Sequence, residues 1–406
     1  MLESSFQKHG ISKRCPDALA AELQTFTTSL IEQGYADMTV RVKVKLVMSV
    51  GKWLERNRLA VADLAEPLVE AFLKRKRQMR KGDLRTLQQF LEHLRRQNVV
   101  PPRSLPCDKS PLAHILNRYE AYLRIERGLV AHTIEEYQCF VRKFLQDRFR
   151  SRPLFLKALK ASDISDFILR HKPSKRAQLM TTAFRSFFRF LLEKGELQAD
   201  LATSVPTVAN WRLSTVPKYL TPKEVELVLK ACDRRTAVGR RDYAILLLLA
   251  RLGLRAGEVV ALQLGDIDWR AGEILVRGKG LLHDRMPLPA DVGGALASYL
   301  RRDRPSCQSR RVFVCTKAPR RGFAGPSTLT TIVRRALERA NLHPGFKGAH
   351  LLRHSLATSM LRSGASMGEI GEVLRHRAAN TTEIYAKIDF EGLRSLAQPW
   401  PIGGVQ

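Results

Sequence analysis

The chain has 406 residues, 44% of them hydrophobic, with 69 Lys and Arg against 39 Asp and Glu. That length suggests two or three domains, each with enough apolar residues for a real core. The net charge of +30 is spread along the chain, which excludes a basic tail on a neutral body and favours a polyanionic partner, DNA or RNA first.

Two proline-punctuated connectors, at 99–106 and 205–217, divide three blocks. Proline at this density ends helices and stiffens linkers. Block one, residues 1–100, reads as helical. Leu46, Val50, Trp53, Leu54, Phe72, Leu73, Leu87, Phe90, Leu91 and Leu94 recur at three- and four-residue spacing. Block two, residues 108–200, repeats the style. Gly34 and Thr39 have the spacing of Gly128 and Thr133. Trp53-Leu54-Glu55 parallels Phe144-Leu145-Gln146, and 90–94 parallels 188–192. We read block one as a duplicate of the block-two module, although any two amphipathic bundles share such a pattern. Threonine ahead of a long amphipathic helix is a sensible N-cap, and Thr133 with Glu136 predicts a full capping box.

Block three, residues 215–398, is mixed. Thr221-Pro222-Lys223-Glu224 predicts a capping box with proline at the first helical position. A helix over about 241–252 is nearly all apolar and is expected to be buried, being too short to span a bilayer. The alternating run Glu273–Arg277, a turn at Gly278-Lys279-Gly280 and an extended piece to Pro289 predict a β-hairpin. The fold class expected is mostly α with a small β-sheet: two helical blocks and an α+β third block.

None of the six cysteines forms a C-x-x-C pair, and no Cys/His cluster has zinc spacing. We expect reduced thiols, no metal and no cofactor. There is no phosphate-binding glycine loop and no nucleophile elbow. The N-terminal residues lack a signal-peptide pattern, so a cytoplasmic, nucleoid-associated bacterial protein without a membrane span is expected.

Six residues of block three carry the chemistry: Arg255, Lys279, His350, Arg353, His376 and Tyr385. Phosphoryl transfer asks a protein mainly for positioning and charge stabilisation. Two guanidiniums can each grip the non-bridging oxygens of a phosphodiester in bidentate fashion. Arg255 follows the buried helix, with Glu258 three residues on, placed to hold its guanidinium or orient a neighbour. His350 and Arg353 share a helix face. His376 and Tyr385 are nine apart and would face opposite ways on one helix. The break at 379–382, with Asn380 or Thr381 as the new cap, lets both turn to one phosphate.

This ordered set resembles the phage integrase family, the tyrosine recombinases, over blocks two and three. The resemblance implies a core-binding helical domain and a catalytic domain that clamp double-stranded DNA. Tyr385 would attack a phosphate and displace a 5′-hydroxyl, leaving a 3′-phosphotyrosine link. Arg255 and Arg353 would stabilise the transition state, and Lys279 would act as general acid. It implies a homotetramer on two DNA sites, with accessory proteins or sister recombinases as further partners, and no need for ATP or metal. The extra first block suggests a mobile-element or plasmid recombinase. An inactive DNA-binding regulator and a type IB topoisomerase-like enzyme are the alternatives. The histidine after the His-x-x-Arg pair, His354 here, is usually structural in the family. The family usually has Leu-Gly-His before the tyrosine, where this chain has Leu374-Arg375-His376. Arginine does not readily take a left-handed turn, so the loop is expected to close differently.

Overall fold

The computed structural model describes residues 19–76, 78–103, 108, 110–150, 152–171, 174–208, 217–278, 283–378, 381–388 and 394. It divides into two compact units. One is Arg103–Thr215; in the other the flanking segments Met1–Pro102 and Val216–Gln406 lie together.

The first block folds as α1 (Ala20–Glu32), α2 (Asp37–Arg56), a short 3-10 turn (Val61–Asp63), α3 (Glu66–Arg75) and α4 (Asp83–Arg96). The apolar stripes meet in one core, where Phe26 and Phe90 contact edge to face at 5.1 Å between ring centres. Gly34 takes φ +79 at the turn between α1 and α2, a conformation glycine adopts without steric cost. The end of α1 lies on the third block: the Arg320 backbone N–H donates to Gln33 O at 2.9 Å, and Gln308 Nε2 donates to Glu32 Oε2 at 3.4 Å.

The second unit contains α5 (Pro111–Ala121), α6 (Ala131–Phe149), a 3-10 turn (Leu156–Ala158), α7 (Ala161–Leu169) and α8 (Lys175–Glu193). Its core is aromatic, with Tyr119, Phe144, Phe184, Phe187 and Phe188 all buried. Both helical blocks run in the same order, down to the 3-10 turn after the second helix, except that a π-helical turn at Tyr122–Glu126 extends α5. The expected threonine caps do not form. Val130 is the N-cap of α6 and Ala36 that of α2, so Thr133 and Thr39 fall inside the first turn. The backbone turns helical as soon as it leaves the extended Val130. The Thr133 N–H bonds Val130 O and no longer needs a side-chain partner.

The third block opens with α9 (Pro222–Lys230). Its predicted capping box is present: Glu224 N donates to Thr221 Oγ1 at 3.3 Å, and Thr221 N donates to Glu224 Oε2 at 2.7 Å. In α10 (Ala237–Arg251), Ala244 to Leu249 are at most 1% exposed. Fully burying each leucine contributes roughly 1.5–3 kcal/mol, which makes α10 the rigid post of the domain. Then come α11 (Ala256–Ala261) and an antiparallel sheet of β1 (Ile267–Asp268), β2 (Glu273–Arg277) and β3 (His283–Pro287), in that order. The β2–β3 register pairs Glu273 with Pro287 and Arg277 with His283, as the hairpin pattern predicted. Ile274 and Val276 face the core. The block ends with α12 (Ala290–Arg302), α13 (Ser327–Arg339), α14 (His350–Arg362), α15 (Met367–Val373) and a 3-10 turn at Glu383–Ile388.

Candidate active site

Arg255 is the N-cap of α11, one residue past the turn that ends α10. Its backbone N–H donates to Glu258 Oε2 and its Nη1 donates to Glu258 Oε1, both at 2.8 Å. Glu258 therefore holds the guanidinium, the first of its two expected roles. The Arg255 side chain is 39% exposed, which leaves donors facing outward. Burial pushes the Glu258 carboxyl up. The Arg255 N–H, the Arg375 charge and the Arg255 side chain together outweigh it and hold the carboxyl below its usual range.

Arg353 is the hub. It is 3% exposed on α14; its Nη1 donates to Gly253 O and its Nη2 to Leu374 O. Two carbonyls from segments far apart in sequence are thus pinned to one planar fork, which a lysine ammonium does not match. Gly253 has φ +57, and a Cβ there would lie 2.6 Å from Leu374 Cδ2. Only glycine lets the α10–α11 turn approach so closely. Burial, then the nearby Arg255 and Arg375 charges, brings the Arg353 guanidinium down to about 10, still protonated at neutral pH.

His350 stands at the start of α14. The protein crowding its ring, then the charges of Arg353 and Arg255, keep its pKa below the ordinary histidine value, against a pull from Glu258. His376 is tied to the 3-10 segment by Nδ1 against Thr382 Oγ1 at 2.8 Å. Burial, then Arg353, Arg255, His354 and Arg375, lower it to about 4, so its ring is neutral at pH 7. Tyr385 is 1% exposed, packed against Ala357, Ile370 and Leu374. Its hydroxyl lies 2.8 Å from His354 Nδ1, a hydrogen bond. Burial pushes its pKa up to about 12, against the opposing charge of Arg353. The structure thus brings five of the six expected residues into one neighbourhood. Lys279 and Asn380 lie outside the described residues.

Two profiles match this chain: the Phage integrase family at residues 218–391, and the Phage integrase N-terminal SAM-like domain at residues 116–195. "Putative integrase/recombinase y4rA" of Sinorhizobium fredii is 45% identical over 385 residues, 93% of each chain. The chain belongs to the phage integrase family, the tyrosine recombinases. Tyrosine recombinase XerA of Thermococcus onnurineus is 32% identical over 70% of this chain and 94% of its own. In fold the chain is similar to the XerH site-specific recombinase bound to a palindromic difH substrate. That match has a TM-score of 0.57 at 21% identity, over 73% of this chain and 92% of the other.

Two residues outside the expected six also shape the site. His354, expected to be structural, hydrogen-bonds the Tyr385 hydroxyl. Its place four residues after His350, hence on the same face of α14, was the available signal. Arg375 was expected to resist a left-handed turn, yet it adopts φ +53. The bonds its side chain makes to Glu258 and Met286 compensate for that backbone. Among the described residues no group of three or more His, Cys, Asp or Glu is arranged to hold a metal ion, and no helix is long and apolar enough to cross a membrane.

Proposed function

We propose that the chain is a site-specific DNA recombinase that cleaves and rejoins strands through a phosphotyrosine formed on Tyr385. The observation that carries this reading is the Arg353 fork. It gathers the turn before Arg255, the start of α14 and the loop before His376 around one point. In this reading the two guanidiniums bind the non-bridging oxygens of a DNA phosphate. The Tyr385 oxygen attacks phosphorus, its proton passing to a neutral histidine such as His350, and the bond to the 5′-oxygen breaks. Lys279 supplies the proton to that oxygen. A 5′-hydroxyl from a partner strand reverses the step and reseals the DNA. The energy of the broken bond is kept in the covalent link.

The resting geometry adds a condition. DNA cannot reach a hydroxyl that is fully buried on His354, so cleavage includes an outward movement of the Tyr385 segment. The movement gives up that hydrogen bond, worth about 0.5–1.5 kcal/mol, and the burial of the ring, worth roughly 1.5–3 kcal/mol, which together lie within what binding a duplex supplies. The excess of positive charge supports double-stranded DNA as the partner. In this reading the protein acts as a tetramer on two DNA sites, in the cytoplasm, for a mobile element or plasmid.

The test is covalent capture. Wild type is incubated with a pool of duplexes of random core sequence, and adducts resistant to detergent are isolated and sequenced. Tyr385→Phe should still bind the selected duplex and form no adduct. An adduct with the phenylalanine variant would remove Tyr385 as the nucleophile. Joined products from two marked duplexes distinguish recombination from relaxation of one duplex.

A further inference from the structure

Residue 375 sits between Leu374, whose carbonyl binds Arg353, and His376. Its left-handed backbone, φ +53, turns its own carbonyl toward Arg255 Nη2, 3.4 Å away. Glycine would adopt that backbone without steric cost, so the arginine must contribute through its side chain. That side chain is 7% exposed and turned inward. Nη2 donates to Glu258 Oε2 at 2.8 Å, and Nη1 donates to Met286 Sδ on β3. Nε has no hydrogen-bond partner among the described residues and lies 4.0 Å from Asp284 Oδ2, also on β3. Asp284 additionally accepts from Arg377 Nη2 at 3.0 and 3.2 Å.

A continuous chain of charge thus runs from β3 through Asp284, Arg375 and Glu258 to Arg255. Both Glu258 oxygens are occupied: Oε1 by Arg255 Nη1, and Oε2 by the Arg255 N–H and Arg375 Nη2. Without Arg375, Oε2 keeps the backbone donor alone and the carboxylate is freer to turn. The Arg255 fork would loosen with it. β3 pairs with β2, and in sequence Lys279 lies between the two strands.

We propose that Arg375 is a positioning residue for strand cleavage: by clamping Glu258 to β3 it fixes the aim of Arg255 and ties the hairpin to the His376 loop. Its guanidinium nitrogens point at Glu258, Met286 and Asp284, so it acts through Glu258 rather than on DNA. The inference rests on the recombinase reading.

Arg375→Gly tests it, because glycine suits the backbone and removes only the clamp. The probe is a duplex captured by wild type from the random pool. Single-turnover adduct formation at saturating duplex should slow about tenfold or more, the scale expected when a reacting group is misaligned, while affinity for that duplex stays unchanged. In a Glu258→Gln background the same change should add little. Arg375→Lys, which keeps a cation near Glu258, should recover part of the rate.

A second readout needs no DNA. Arg255 and Arg375 are the charges that act on the Glu258 carboxyl, which in turn acts on Arg353 and His350. A carbon-detected NMR titration of the Glu258 carboxyl should move to higher pH in the glycine variant. If that variant does not fold, the lysine variant is read by the same two measurements. Wild-type cleavage and an unmoved Glu258 titration would overturn the proposal. Weakened DNA binding with an unchanged saturating rate would overturn it too, by making Arg375 a DNA contact. If wild type itself forms no adduct with any duplex, the recombinase reading fails instead, and the titration still decides whether Arg375 holds Glu258.

Discussion

At the scale of single residues, the site works by spending buried charge on backbone. Arg353 satisfies the carbonyls of Gly253 and Leu374. Arg353→Lys keeps the charge and loses the fork. One buried carbonyl is left without a donor, which costs about 1–3 kcal/mol of stability. Losing one transition-state donor costs roughly a hundredfold in rate. Denaturant midpoints and single-turnover cleavage at saturating duplex measure the two losses separately, and near-normal cleavage would rule out the role. His376 gives a pH signature. Its folded value of about 4 lies below its unfolded value of about 6.5. Between the two, the unfolded chain binds a proton that the folded chain does not, so stability rises with pH across that window and is lost as pH falls through it. His376→Gln should flatten the fall in melting temperature on acidification, with the two curves parallel above neutrality. Some slope will remain, because His350 is shifted the same way. An unchanged slope would show that His376 is not buried as a neutral ring.

Among elements, the turn between α10 and α11 is the constraint that bears most directly on the site. α10 is anchored by its leucines, Gly253 turns the chain at φ +57, and Arg255 starts α11 with its fork already aimed. Gly253→Ala adds a left-handed penalty and a clash with Leu374. The sum should be on the order of 2–4 kcal/mol, read as a drop in the denaturant midpoint. Cleavage should fall with it even where the protein remains folded, since Leu374 leads directly into the His376 loop. A variant of wild-type stability would mean that the turn relaxes without cost.

For the whole molecule, the first block is the distinguishing part. The family profiles begin at residue 116, whereas the y4rA relative aligns over 93% of the chain. Block one repeats the element order of the second unit, yet it packs with the third block through Gln33 and Arg320. As a duplicated DNA-contacting module it would add phosphate contacts, each worth roughly one unit of the log–log salt slope of binding. Deleting residues 1–100 should then shorten the footprint on DNA and reduce that slope. An unchanged footprint with loss only of assembled complexes would assign the block to contacts between protomers.

Periodicity and local residue type by themselves determined the helical character of the first two blocks, the helices that follow Thr221 and span about 241–252, the β2–β3 hairpin and the Thr221 capping box, because each depends on neighbours within a few residues; α11, α12, α13 and α15 were not legible in this way. Residue type and order also determined the family. The tertiary structure alone decided three things. Thr39 and Thr133 lost their capping roles because Ala36 and Val130, three residues earlier, are the caps. His354 became the partner of Tyr385 because α14 and the 3-10 segment pack together, a contact across 31 positions of sequence. Arg375 holds a left-handed backbone because Glu258 and Met286, 117 and 89 positions away, wait for its guanidinium. A local pattern reports the intrinsic cost of a conformation. It does not report which distant groups compensate for that cost, and at this site those groups set the geometry.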